Sequence, residues 1–243
     1  MSANEQVGVP LPDFIADRLM GGIALEARTL GRAQEIREQA KLAYGESLLD
    51  GRLQLLAIAA ATFAERANIP GTETPSINDR LVLLASFFQG VGATESLISE
   101  GQYVKAAAVL KQDLEILTRV HEVLQGVAQP GKTPNVRFAP AGAGRLYGQL
   151  NDVAHPSNPA LLVTLLSASE NGNARGVSYV PAFRADTAVA LYELHVWLLL
   201  ELSRELLRLM EDLYGPDPTF VPIIEWWLVV AHQLVNGGHI ATA

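Results

Sequence analysis

Apolar positions recur at intervals of three and four along nearly the whole chain, while alternation with period two is confined to one short stretch, so the pattern predicts stacked helices. The stretch "GGIALEARTLGRAQEIREQAKLAYGESLLDGRLQLLAIAAATFAERANIPG" divides into two helices, Gly21 to Tyr44 and Ser47 to Ala67. Gly21, Gly22 and Gly31 weaken the first, since each costs about 1 kcal/mol against alanine inside a helix. Ahead of it, Asp13 follows Pro12, where it can cap or charge a first turn. The row Glu26, Arg28, Arg32, Glu35, Arg37, Glu38 and Lys41 marks a solvated face. "PGTETPSIND" (Pro70 to Asp79) combines prolines, a glycine and cap residues, and places a boundary between an N-terminal helical extension, residues 1–75, and a helical bundle, residues 76–243.

Within the bundle, helices are expected at Ser76 to Gly101 and Gln102 to Gly126, each closed by a glycine and joined by a turn short enough to make them antiparallel neighbours. A proline- and glycine-rich loop then leads to a helix beginning near Gly144 and stopped by Pro156. "LLVTLLSASENGNARGVSYVPAF" fits either a short helix and loop or a hairpin turning at "ENGN". Two strongly apolar helices follow, Arg184 to Tyr214 and Ile223 to Asn236. The fold class is therefore all-α, with room for one small β-hairpin.

Composition changes this picture little: 49% of the 243 residues are hydrophobic, enough to bury a sizeable core. The apolar runs Ala188 to Leu202 and Phe220 to Val235 are broken by Glu193, His195, Glu225 and His232, which makes them core helices in expectation, with no membrane partner. No cysteine is present, which rules out disulfides and thiolate chemistry. A net charge of −8 without a basic run argues against a general nucleic-acid or anionic-membrane binder. "MSANEQVGVPLPDF" lacks the basic and apolar regions of a secretion signal, so a cytoplasmic location is expected.

Candidate chemistry gathers in "LYGQLNDVAHPSNPALL". Tyr147, Asn151 and His155 follow one another at intervals of four, about 6 Å apart on one helix face. His155 would sit at the helix C-terminus, where the helix dipole favours its protonation near neutral pH, fitting a general acid or base. The competing reading is that Asn151 and His155 tie the helix end to a neighbouring backbone. "GAGRLYG" offers Arg145 at the helix entry as an anion contact, against a plain flexible start to the helix. Lys111 and Glu115, four apart, form an ordinary intrahelical pair. Glu225 and His232 share a face without a third ligand, and Glu193 and His195 do not, so no metal site and no cofactor are expected. Trp197, Trp226 and Trp227 occupy packing positions.

"YGQLNDVAHPS" resembles the Y-x-x-L-[S/N]-x-x-x-H-P segment of all-helical bacterial proteins similar to the HEPN superfamily. "GVGATESLISEGQYVKAAAVLKQDLEIL" resembles the helix, turn, helix segment of the same group, with Lys111 and Glu115 at its basic and acidic positions. The resemblance spans about Ile77 to Leu209 and implies a HEPN-like bundle, and for many members toxin or defence ribonuclease activity without metal. It implies roles for His155 as acid or base, Asn151 in orienting substrate and Tyr147 as a hydrogen-bond donor. The arginine that precedes the histidine in the family pattern is replaced by Leu150, and Arg145 stands ten positions from His155, about 15 Å along the helix. A basic group would have to come from another helix or protomer, with Arg119, Arg137 and Lys111 the candidates. The expectation is therefore a non-enzymatic dimerisation, interaction or ligand-binding module, with endoribonuclease activity as the alternative. The apolar faces of both C-terminal helices lead to an expected homodimer, with room for a protein partner; RNA is a partner only under the alternative.

Overall fold

The computed structural model describes residues 13–66, 69–154, 158–170 and 173–240, and among these it contains seven α-helices and one two-stranded ribbon. The centre is α6 (Ala185–Tyr214), in which Leu198, Leu199, Leu200, Glu201, Leu202 and Ser203 are buried in succession. A helix covered on every side needs neighbours all round, and α6 touches α1 (Asp13–Ala64), α2 (Pro75–Ser99), α3 (Tyr103–Leu124) and α7 (Val221–Asn236). Leu198, Leu199, Leu200, Leu202, Leu206 and Leu209 are buried in this ring, while Leu191, Leu194 and Leu207 stay half-buried.

Helix α1 starts at Asp13, ahead of the glycines that made Gly21 the expected start, and breaks at Gly45, whose φ of 74° suits glycine. The two expected helices are thus two limbs of one element. The residues before Ser76, expected as an extension, contribute Ala40, Tyr44, Leu48, Leu55 and Ile58 to the same core cluster as α2, α3, α6 and α7. Tyr44 stacks on Tyr192 of α6 with ring centroids 3.8 Å apart, and its hydroxyl hydrogen-bonds Ser99 Oγ at 3.2 Å. Arg37 departs from the solvated face foreseen for it. It pairs with Glu95 at 3.2 Å and Glu100 at 2.8 Å and donates to Ser96 Oγ, fastening α1 to α2.

The linker closes with a built cap, in which Thr74 Oγ1 accepts from the Ile77 N–H at 3.2 Å and Pro75 takes the first helical position. Gly101 turns α2 into α3 at φ 78°, and a side chain there would press on Ala182 O at 3.2 Å. After α4 (Ala143–Ala154), both readings of the ambiguous stretch hold in part. A short α5 (Pro159–Leu166) is followed by β1 (Ser167–Glu170) and β2 (Asn173–Val177), paired antiparallel. Arg184 anchors this unit to the start of α6, donating to Leu165 O at 3.2 Å and Ser167 O at 2.6 Å.

Helix α7 lies on α1 and α6 through Ile223, Val230 and Leu234 but leaves Val221, Ile224, Leu228 and Val229 exposed, so it is a covering helix and not the core helix expected. By length and composition alone, Arg18–Ala64, Pro75–Ser99 and Pro218–Asn236 are each apolar enough to cross a membrane.

Two buried titratable groups act on stability in opposite senses. His195 on α6 is fully buried with both ring nitrogens unpartnered, and burial, aided by the Arg52 charge, lowers its pKa to about 3. Asp113 on α3 accepts only a long bond from Thr94 Oγ1 at 3.4 Å, and burial raises it to about 7. An unfolded histidine takes its proton below about pH 6.5, so the His195 contribution weakens as pH falls from there toward 3. An unfolded aspartate loses its proton above about pH 3.9, so the Asp113 contribution weakens as pH rises from there toward 7. Each slope is at most about 1.4 kcal/mol per pH unit, and the two offset one another between about pH 4 and 6.5. Urea unfolding across that window is expected to show Asp113→Asn losing stability toward acid and His195→Gln losing it toward neutrality. Variants that both keep the wild-type slope would rule this balance out.

Candidate functional site

The row singled out in the sequence rides on α4, which packs against α3 with Ala143 and Leu150 as its buried contacts. Leu150, 4% exposed, is a packing residue. Tyr147, on the same helix, donates from its hydroxyl to Glu115 Oε1 at 2.7 Å. Lys111 Nζ pairs with that same oxygen at 3.2 Å and lies 5.4 Å from the centre of the Tyr147 ring. Burial and the adjoining Glu115 carboxylate push the Tyr147 hydroxyl up to about 12, so it acts as a neutral donor. Asn151 lies half-buried one turn further on, and His155 lies outside the described residues.

The remaining nominated cations do not join this group. Arg119 pairs with Glu122 at 2.7 Å and donates to the carbonyls of Gln129 and Lys132, while the Asn135 N–H donates to Glu122 Oε1 at 2.7 Å. Arg119 therefore clamps the loop between α3 and α4. Arg137, on the same loop, lies over the Phe138 ring at 4.4 Å, and Arg145 is exposed on the first turn of α4.

A second polar group escaped sequence reasoning. On α6, Glu201, Arg204, Glu205 and Arg208 follow one another at spacings of three, one and three, which puts all four on one side of an otherwise apolar helix. That spacing was the available signal. Glu205, with a side chain only 1% exposed, accepts from His121 Nε2 at 3.3 Å and pairs with Arg208 at 3.1 Å and Arg204 at 3.3 Å; Arg204 also reaches Glu201 at 2.5 Å. His121 Nδ1 is 2.8 Å from Phe138 O and holds the loop carbonyl from its other side. The bond to Glu205 raises the His121 pKa against the effect of burial. Burial opposes ionisation of Glu205, but the bond to His121 and the charges of His121, Arg208 and Arg204 hold it below its ordinary range. Each partner thus favours the charged form of the other.

Two clefts flank the ridge formed by Arg204 and Arg208. On one side, between α6 and α7, Leu207, Phe220, Ile224, Trp227 and Leu228 line an apolar cleft of about 530 Å³. Trp227 is fixed there by donating from Nε1 to Leu200 O at 3.2 Å. On the other side, His121, Gln125 and Asp212 border a polar cleft of about 660 Å³. Among the described residues no group of three or more His, Asp or Glu side chains is placed to hold a metal ion. No family model matches the chain, and neither does any curated protein or solved structure.

The sign of the His121 and Glu205 shifts sets a pH dependence. The histidine contribution is complete below about pH 6.5 and is lost as pH rises through its raised folded value; the Glu205 contribution is lost in acid. Glu205→Gln is expected to cost about 3 kcal/mol near pH 6 and less at pH 9, because the His121 ring holds its proton less as pH rises. Denaturant melts at the two pH values check this; an equal cost at both would exclude the charged pair.

Proposed function

We propose that the chain is a HEPN-like helical binding module, holding a ligand in the cleft between α6 and α7 and performing no chemistry on it. The observation that carries this reading is the cleft itself: about 530 Å³, within the range of small-molecule sites, with apolar walls and a few charged groups at its rim. Supporting it is the employment of the nominated polar residues elsewhere. Tyr147 and Glu115 join α4 to α3, and Arg119 clamps a loop. The ligand that suits these walls is an elongated aliphatic or aromatic molecule, with Arg208, whose side chain is 58% exposed, available to a polar end. Titration with decanoate and decanol, followed by tryptophan fluorescence, is expected to saturate in the wild type and to weaken at least tenfold in Ile224→Glu. Ile224 is already 42% exposed, so the charge acts on the cleft and not on folding. Equal titration curves for both proteins would defeat the reading.

A second reading, metal-independent RNA cleavage of the toxin or defence type, draws on one observation. Lys111 on α3 brings a basic group beside Tyr147 of α4, from a different helix, as that chemistry would need. His155 would act as acid or base and Asn151 would orient the substrate. Cleavage of RNA in chelator-containing buffer, abolished by His155→Ala and by Lys111→Ala, would put this reading in place of the first. The binding-module reading expects intact RNA with all three proteins.

A further inference from the structure

A second apolar surface lies at the opposite end of the chain from the cleft above. Ala33 is the first buried apolar residue of α1 among the described side chains, so the helix from Arg18 to Arg32, about 21 Å long, precedes it. Every residue from Arg18 to Arg28 is exposed. Leu19, Met20, Ile23, Leu25 and Leu30 are each more than half exposed, at 53%, 63%, 58%, 52% and 65%. Met20, Ile23, Ala27 and Leu30 follow the three, four, three spacing of a helix that packs on another helix.

Three features show that this arm needs a partner. Gly21, Gly22 and Gly31 each weaken the helix, and none has a neighbouring atom within 4 Å of where a side chain would begin. A segment of this length without tertiary packing is marginal as a helix in water even when it is rich in alanine. The arm also adjoins a second apolar surface at its root. Thr29 of α1 shares a cleft of about 410 Å³ with Tyr103, Leu162, Leu165, Leu166 and Tyr179, and of these Leu166 is 42% and Tyr179 92% exposed.

We propose that the arm of α1 is a dimerisation element, covered by a second copy of this chain whose own arm reaches the cleft beside α5. The area required argues for both surfaces together. A stable interface buries about 800 Å² on each partner, whereas Leu19, Met20, Ile23 and Leu30, the four large apolar side chains on one face of the arm, supply only about 400 Å² at roughly 100 Å² apiece. The cleft at the root, with Leu166 and Tyr179, makes up the difference. A two-fold axis places the arm of each copy against the cleft of the other, so one repeated contact covers both surfaces and leaves no open end for further growth.

Size-exclusion chromatography with light scattering on the full chain tests this. Wild type is expected at twice the chain mass of 26.2 kDa. Leu19→Glu combined with Ile23→Glu, and separately Leu166→Glu, are each expected to give the single-chain mass, all three positions being exposed in one copy. Circular dichroism is expected to show loss of the arm's helix in both variants while the bundle still melts cooperatively. Ile224→Glu is expected to remain dimeric, which separates this proposal from the ligand cleft between α6 and α7. A monomeric wild type, or a dimer untouched by the arm substitutions, overturns the proposal. So does flotation of monomeric wild type with phosphatidylcholine vesicles that the arm variant loses, since a bilayer would then be the partner.

Discussion

Burying a stretch of helix on all of its sides removes any choice about where its neighbours go, and residues Leu198 to Ser203 of α6 impose that condition on this chain. Its run of leucines from Leu198 to Leu202 has no face left for water, so α1, α2, α3 and α7 must surround it. The ring then sets the other contacts. Arg37 fastens α1 to α2 through Glu95 and Glu100, and Arg80, itself buried, fastens α2 to α6 through Asp212 at 2.7 Å. Each of these arginines pairs with residues more than 50 positions away in sequence.

The charged quartet on α6 is the price of running such a helix past a polar edge. A buried carboxylate without partners would cost several kcal/mol, and Glu205 avoids this by drawing His121, Arg204 and Arg208 around it. His121 in turn holds Phe138 O, and its neighbour Glu122 holds the Asn135 N–H, so the ionic group also sets the path of the loop into α4. The position of Tyr147 against Glu115 depends on that path. Chemistry that looked local to one helix therefore rests on an ion pair two helices away.

What α6 gains in coverage, the outer helices lack. Helix α7 spends one face on α1 and α6 and leaves the other to line an apolar cleft, while the arm of α1 has no face spent at all. These are two separate surfaces, one a concave cleft and the other an extended helix. The core is closed, and part of the apolar surface left over lies on these two surfaces, with Leu42, Leu53 and Val82 exposed elsewhere.

Helix periodicity, glycine and proline stops and cap residues were enough to read the all-α class and most element limits, because those signals act between residues four or fewer apart. Thr74 before Pro75, and Gly101 and Gly126 after α2 and α3, are examples. The pairing of Lys111 with Glu115 was legible for the same reason. Convergence was not. That Tyr147 would meet Glu115, that Arg119 would be spent on a loop, and that His121 would find Glu205 across 84 positions depend on which helix faces which. Sequence alone determined which residues form helices and which side of each is apolar. Only the tertiary structure decided which of those sides were covered, because burial is a property of the assembled ring around α6 and of no single helix in it.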